Sequence, residues 1–137
     1  MIALGSALRK AKGGLAMEFI KEINEGVMET IAPGIRRLVY TLNRVMTIYF
    51  EIDPGVVVGE HAHPHEQMGM LIRGKMRWHI QGQEKIIEAP ALYRFPSNQP
   101  HGAEILGNEP ALILDIFSPI REEFLKDKPP EYMKSPG

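Results

Sequence analysis

The sequence contains no cysteine. This excludes a disulfide framework, a thiolate nucleophile and any zinc or iron–sulfur site ligated by cysteine. It is compatible with a reducing compartment, and a cytoplasmic location is the expectation. An excess of one charge is also missing: 16 Lys and Arg stand against 17 Asp and Glu, for a formal net charge of −1. No basic run and no basic patch interleaved with aromatics occurs, so no nucleic-acid partner is expected. No apolar run approaches the roughly 20 residues of a membrane span, so no membrane partner is expected. There is no G-x-S-x-G elbow, and a hydrolase triad therefore lacks its nucleophile. The stretch Gly69 to Lys75 nearly spells a phosphate-binding loop. Met76 stands where Ser or Thr is required, however, and a strand pattern follows where a helix should start.

What remains is a chain of 137 residues with 44% hydrophobic and 24% charged residues, the profile of one globular domain. Residues 1–16 read as a loosely held, arm-like extension. Its cations Arg9, Lys10 and Lys12 follow the apolar residues, and Gly13-Gly14 interrupts any helix, so no secretory signal is expected. Residues 17–125 carry the pattern of a β domain. Ile35–Leu42 and Val45–Ile52 are rich in β-branched and aromatic residues and are separated by Asn43-Arg44, a hairpin signal. Asp53-Pro54-Gly55 marks a turn. Lys75 to Gln81 alternates, with Met76, Trp78 and Ile80 on one face and Lys75, Arg77 and His79 on the other. Short strands are expected at Glu84–Glu88, Ala91–Phe95, Ala103–Leu106 and Ala111–Phe117, divided by Pro and Gly. Many short strands without intervening helices predict an all-β antiparallel sandwich or barrel. Pro119–Leu125 suits one helical turn, and residues 126–137 (KDKPPEYMKSPG) read as a polar, frayed tail.

Four of the five histidines fall in two windows. In the first, His61 and His63 lie two apart, so on a strand both imidazoles face the same way. Gln67 follows with an oxygen ligand. In the second, Asn98 tolerates a positive φ and Pro100 stiffens the approach to His101. His61, His63, Gln67 and His101 form a candidate shell for one divalent transition metal per chain. Such donors accept Zn, Ni, Mn, Fe or Co. His65 shares the parity of His61 and His63, but Pro64 disturbs the strand, which leaves it a ligand or a residue of the site's mouth. Glu66 replaces Gln67 as ligand if the register slips by one. His79 reads as a solvated residue, and Trp78, Met76, Met68 and Met70 read as barrel lining or core.

The first window resembles the first cupin motif, G-x5-H-x-H-x3-E-x6-G, from Gly55 to Gly74, with Gln67 in place of Glu. Pro96 to His101 is similar to the second motif, P-x-G-x2-H, with Asn98 in place of Gly. The Asn usual four residues after that His is Ile105 here. The resemblance spans about Gly34 to Leu125. It implies a double-stranded β-helix, a jelly-roll-like β-sandwich barrel with a metal in its mouth, and often a homodimer. The string His61 to Gln67, Pro100-His101-Gly102, and Leu114 to Phe124 further resembles the small KdgF-type cupins of pectin and alginate breakdown. Those proteins open 4,5-unsaturated uronates to linear, ketonised sugars. By that resemblance Asp115, Phe117 and Arg121 line the catalytic pocket and the substrate is a small anionic sugar acid. Asp115 would act as general acid/base and Arg121 would bind the substrate carboxylate with its planar fork. A dioxygenase or isomerase of another small-cupin type, or a non-catalytic binding barrel, are the competing readings. Without the resemblance, Asp115 and Arg121 read as structural.

Overall fold

The computed structural model describes residues 18–125 and 132–134, and the extension 1–16 therefore lies outside the described residues. Eleven strands are present among them: β1 (Glu29–Ala32), β2 (Ile35–Thr41), β3 (Met46–Ile52), β4 (Val57–His61), β5 (Glu66–Arg73), β6 (Lys75–Ile80), β7 (Gln83–Glu88), β8 (Ala91–Phe95), β9 (His101–Leu106), β10 (Ala111–Ser118) and β11 (Met133–Lys134). They form two antiparallel sheets. One runs β1-β2-β3-β10-β5-β8, the other β11-β4-β9-β6-β7. No helix among the described residues is long and apolar enough to cross a membrane.

Period-two patterning dictates which side chains fill the space between the sheets. β3 buries Met46, Ile48, Phe50 and Ile52 and turns the residues between them outward. β10 does the same with Ala111, Ile113, Asp115 and Phe117. β6 buries Met76 and Trp78 and leaves His79 on the outer face, 3.4 Å from Glu84. The β2–β3 hairpin closes through Leu42 N–H to the Val45 carbonyl at 2.9 Å, with Asn43-Arg44 in the turn.

Three expectations need correction. Met68 and Met70 are neither lining nor core: Gln67, Gly69 and Leu71 take the inward positions of β5, and alternation puts the methionines outside, Met68 at 57% exposure. β9 begins at His101, two residues earlier than the apolar run suggests, because the His pairs with His61 across the sheet. The expected frayed tail is not frayed throughout. Tyr132 accepts a 2.6 Å hydrogen bond from Gly59 N–H, and Met133–Lys134 pair with β4. The helical turn near residue 120 is a short 3-10 turn, Glu122–Leu125, whose Phe124 enters the core.

Ile48 is fully buried at the centre of β3. Ile48→Ala is expected to lower unfolding free energy by about 2–5 kcal/mol in urea titrations. A loss below about 0.5 kcal/mol would show that this layer is not close-packed.

Candidate metal centre and cavity

His61 ends β4 and His101 begins β9, and the two are register partners. His63 lies just beyond the end of β4, so the period-two reading gives its direction without its being a strand residue. Its position is set by the second window. Asn98 adopts the positive φ of 64° that its residue type permits, and its N–H donates to the His63 carbonyl at 2.7 Å. The ring centroids of His61, His63 and His101 lie 4.4 to 5.6 Å apart.

The hydrogen bonds of these rings decide what they can bind. His61 Nδ1 faces the Gly59 carbonyl at 2.8 Å, His63 Nδ1 the His65 carbonyl at 3.0 Å, and His101 Nδ1 the Gln99 carbonyl at 2.8 Å. A carbonyl only accepts, so each Nδ1 carries the proton and each Nε2 a lone pair. One ligand atom from each ring lies within 4.8 Å of the others. His101 Nε2 is buried without a hydrogen-bond partner. Three converging lone pairs, one of them orphaned, suit a cation and little else.

Gln67 completes the set. Its amide N–H donates to the Asp115 carboxylate, which turns Oε1 toward the rings, 3.0 Å from His63 Nε2. Two acceptors at that separation repel unless a positive charge lies beside them. Glu66 points outward and is exposed, which removes the slipped register. The His65 ring does not join the cluster; its contribution is the carbonyl that orients His63.

Burial pushes all three histidines down from 6.5 to about 4, opposed by their carbonyl partners, with the Arg121 charge adding to the depression. They therefore stay neutral and competent as ligands well below pH 7.

A cavity of about 50 Å³, which His61, Gln67 and His101 help to line, is walled by Phe50, Met76, Trp78, Tyr93, Phe117 and Arg121, among others. Asp115 is buried in this wall. Burial raises it from 3.8 to about 6, against the hydrogen bonds from Tyr93 and Gln67 and the Arg121 charge. Tyr93 Oη donates to Asp115 Oδ1 at 2.5 Å. These two residues flank Gly69 in the sheet register, so the tyrosine reaches across a glycine to the carboxylate. A Cβ on Gly69 would collide with both the Tyr93 ring and Asp115 Oδ1.

Phe117 lies inward beside His63, with ring centroids 5.9 Å apart. Arg121 is buried, contrary to a surface role, with its guanidinium 4.1 Å from the Phe124 ring centroid. Its fork is already engaged: Nε and Nη2 donate to Glu123 Oε2 at 3.0 and 2.8 Å, and Nη2 also donates to Tyr132 Oη at 2.6 Å. The bidentate grip expected for a substrate is held by Glu123. Tyr132, Tyr93 and Gly69 were missed in the sequence. Tyr132 stacks on His61 with centroids 3.7 Å apart, yet it sits in a segment with the composition of a tail. Gly69 did carry a signal, a residue without a side chain inside an apolar strand, which marks close approach of another group.

Two antiparallel sheets with a three-histidine cluster that could hold a metal ion, and an amide oxygen beside it, define the class of protein as a β-barrel with a candidate metal site. The chain belongs to the cupin family: residues 48–117 match the cupin domain. Among solved structures, it is similar to KdgF from Halomonas sp., at 26% identity over 71% of this chain and 91% of that one, with a TM-score of 0.66. An RmlC-like cupin from Shewanella frigidimarina is 26% identical over 79% of this chain and 96% of that one, with a TM-score of 0.71. Oxalate decarboxylase from Lactobacillus farciminis, at 22% identity and a TM-score of 0.59 over 70% of this chain and 32% of that one, shares the fold. No curated protein matches the chain.

Two outcomes follow from the geometry. Between about pH 6.5 and 4 the unfolded histidines hold protons that the folded ones refuse, so stability falls with acidification; Asp115, raised in the fold, works in the opposite direction but is one group against three. The urea midpoint of metal-free protein should drop between pH 7 and pH 5, and a flat or rising midpoint would contradict the burial of the cluster. Gly69→Ala should cost about 1–3 kcal/mol through overpacking, with Tyr93 displaced from Asp115 in its crystal structure. An undisturbed Tyr93–Asp115 pair would show that the strand yields instead.

Proposed function

We propose that the protein is a metal-dependent enzyme of the small-cupin type that opens 4,5-unsaturated uronates, or closely related sugar acids, to linear ketonised products. The observation that carries this reading is the placement of a buried carboxyl, Asp115, raised to about 6, in the wall of the same cavity that His61, Gln67 and His101 line. An acid/base group near neutrality beside a candidate cation site is what hydration of an enol ether needs. The resemblance of His61–Gln67 and Leu114–Phe124 to small cupins of pectin and alginate breakdown supplies the substrate class.

His61, His63 and His101 through Nε2, with Gln67 through Oε1, would hold one divalent transition metal. When bound, it supplies a Lewis acid for the substrate's oxygens, and the neutral amide of Gln67 leaves more positive charge on it than a carboxylate would. The chain's own residues account for the rest. Asp115, protonated, delivers its proton to C4 of the unsaturated ring, and water adds at C5. Asp115 as carboxylate then takes the proton released by that water. Collapse of the hemiketal breaks the bond between C5 and the ring oxygen, which gains a proton, and leaves a ketone at C5.

Tyr93 donates to Asp115 Oδ1 and Gln67 donates to the same carboxyl, and together they fix its orientation. Burial, followed by the Asp115 charge, keeps the Tyr93 hydroxyl well above its usual range and therefore protonated as a donor. Phe117 and Trp78 provide apolar walls that keep bulk water from the carboxyl. Glu123 occupies the near edge of the Arg121 fork, so a substrate carboxylate meets Nη1, which makes no hydrogen bond among the described residues.

Elemental analysis of untagged protein should give about one divalent transition-metal ion per chain, lost in the His61→Ala, His101→Ala double variant. The wild type should accelerate loss of the ultraviolet absorbance of an unsaturated uronate. Asp115→Asn should slow it on the order of 10²-fold or more while keeping the metal. Wild-type protein that carries its metal and leaves the absorbance unchanged would remove the catalytic reading and leave a binding barrel. An active enzyme indifferent to Asp115→Asn would remove that residue from the chemistry.

A further inference from the structure

The two histidines that face each other across β4 and β9 each lie flat against an aromatic ring. His101 stacks on Phe95, with centroids 4.2 Å apart and planes 5° from parallel, and His61 stacks on Tyr132 at 3.7 Å and the same 5°. The two supports are unlike. Phe95 ends β8, pairs with β5 and is 4% exposed, so the backing of His101 is part of the core. Tyr132 is half-buried and precedes β11, a strand of two residues along the outer edge of β4. His61 is also the less buried of the two histidines and ends its strand, where the β4–β9 pairing loses register between Val58 and His61. One hydrogen bond, from Nδ1 to the Gly59 carbonyl, orients its ring. The terminal torsion of a histidine has no sharp minimum of its own, and one bond leaves it loosely set.

Gly59 joins these contacts. Its carbonyl accepts the His61 proton, and its N–H donates to the Tyr132 carbonyl at 2.6 Å. At the far end of the ring, Tyr132 Oη accepts from Arg121 Nη2 at 2.6 Å. Arg121 is in turn fixed by Glu123 and lies over the Phe124 ring. The tyrosine is therefore held at both ends, at its backbone by β4 and at its hydroxyl by a buried guanidinium, with its face against His61. An imidazole that turned about its Cβ–Cγ bond would drive its edge into the tyrosine ring, which a stack at 3.7 Å does not allow. We propose that Tyr132 is a positioning residue for the cation site: stacked on His61, it keeps that ring's Nε2 aimed at the point where His63 and His101 converge. The inference rests on the reading of the histidine cluster as a site for a divalent cation, and not on the uronate reaction. A role confined to tying down the chain beyond β10 would be met by the backbone bonds to Gly59 and β4 alone.

Full-length Tyr132→Leu and Tyr132→Phe keep the backbone contacts and so separate the ring's role from the strand's. Zn²⁺ affinity is read by competition with a chromophoric chelator, and the imidazoles by long-range ¹H–¹⁵N spectra of metal-free protein. Tyr132→Leu should weaken Zn²⁺ binding about 3- to 10-fold, the scale of a lost aromatic contact behind a ligand. It should also move the two His61 nitrogen resonances toward each other, as in a ring exchanging between tautomers, while those of His63 and His101 stay in place. Tyr132→Phe retains the stacking face, and should keep the wild-type His61 spectrum and an affinity within about 2-fold. Unmoved His61 resonances in Tyr132→Leu would overturn the inference. So would an equal change in all three histidines, the mark of general loosening, or a phenylalanine variant as impaired as the leucine one. A wild type that takes up no Zn²⁺, Ni²⁺ or Mn²⁺ overturns the cation reading and this inference with it. One that binds the ion without turning over a uronate overturns the proposed reaction alone.

Discussion

Three backbone carbonyls govern the centre of this molecule. Gly59, His65 and Gln99 each accept the Nδ1 proton of one histidine, and in doing so they force three Nε2 lone pairs to face each other. Left to itself that arrangement is unfavourable, because the His101 lone pair is buried without a donor and the His63 lone pair faces another acceptor, Gln67 Oε1. The fold tolerates it because the sheets are held together by a large apolar core on either side, with Ile48, Leu71, Ile105 and Phe117 among its fully enclosed members. A cation converts the same convergence from a cost into a binding site.

The same logic extends one layer inward. Gln67 cannot turn both ends of its amide to the histidines, and Asp115 takes the N–H end. Asp115 is in turn fixed by Tyr93, which reaches it only because Gly69 lacks a side chain. A chain of single hydrogen bonds thus runs from the candidate metal cluster to the candidate acid, each member oriented by the next. Charge on the cluster and protonation at Asp115 are coupled through Gln67, and a change of ligand at this position would alter both.

Much of the fold was legible because β-sandwich strands alternate, and alternation survives in a single sequence. Lys75–Ile80 and Met46–Ile52 bury the residues their pattern assigns. The histidine cluster was legible too, since the spacing of His61, His63 and His101 in two windows is tied to the resemblance and one ligand atom of each lies within 4.8 Å of the others. Other features depend on contacts that no local pattern encodes. Met68 and Met70 are as apolar as any core residue, and only the inward demand of Gln67 and Gly69 reveals that they face out. Tyr132 lies in a Pro-rich, polar segment, and its stacking on His61 is a tertiary event. The Arg121 fork looked available because Glu123, two residues away, gives no sign in the sequence of folding back onto it.

The tautomer of the three imidazoles is the point on which the account stands. Long-range ¹H–¹⁵N spectra of the histidine side chains in metal-free protein at neutral pH read it directly. His61, His63 and His101 should each show a protonated Nδ1 and a bare Nε2, and added Zn²⁺ should shift those three Nε2 resonances together. Rings protonated at Nε2, or Nε2 resonances that ignore the ion, would contradict a cation-binding cluster.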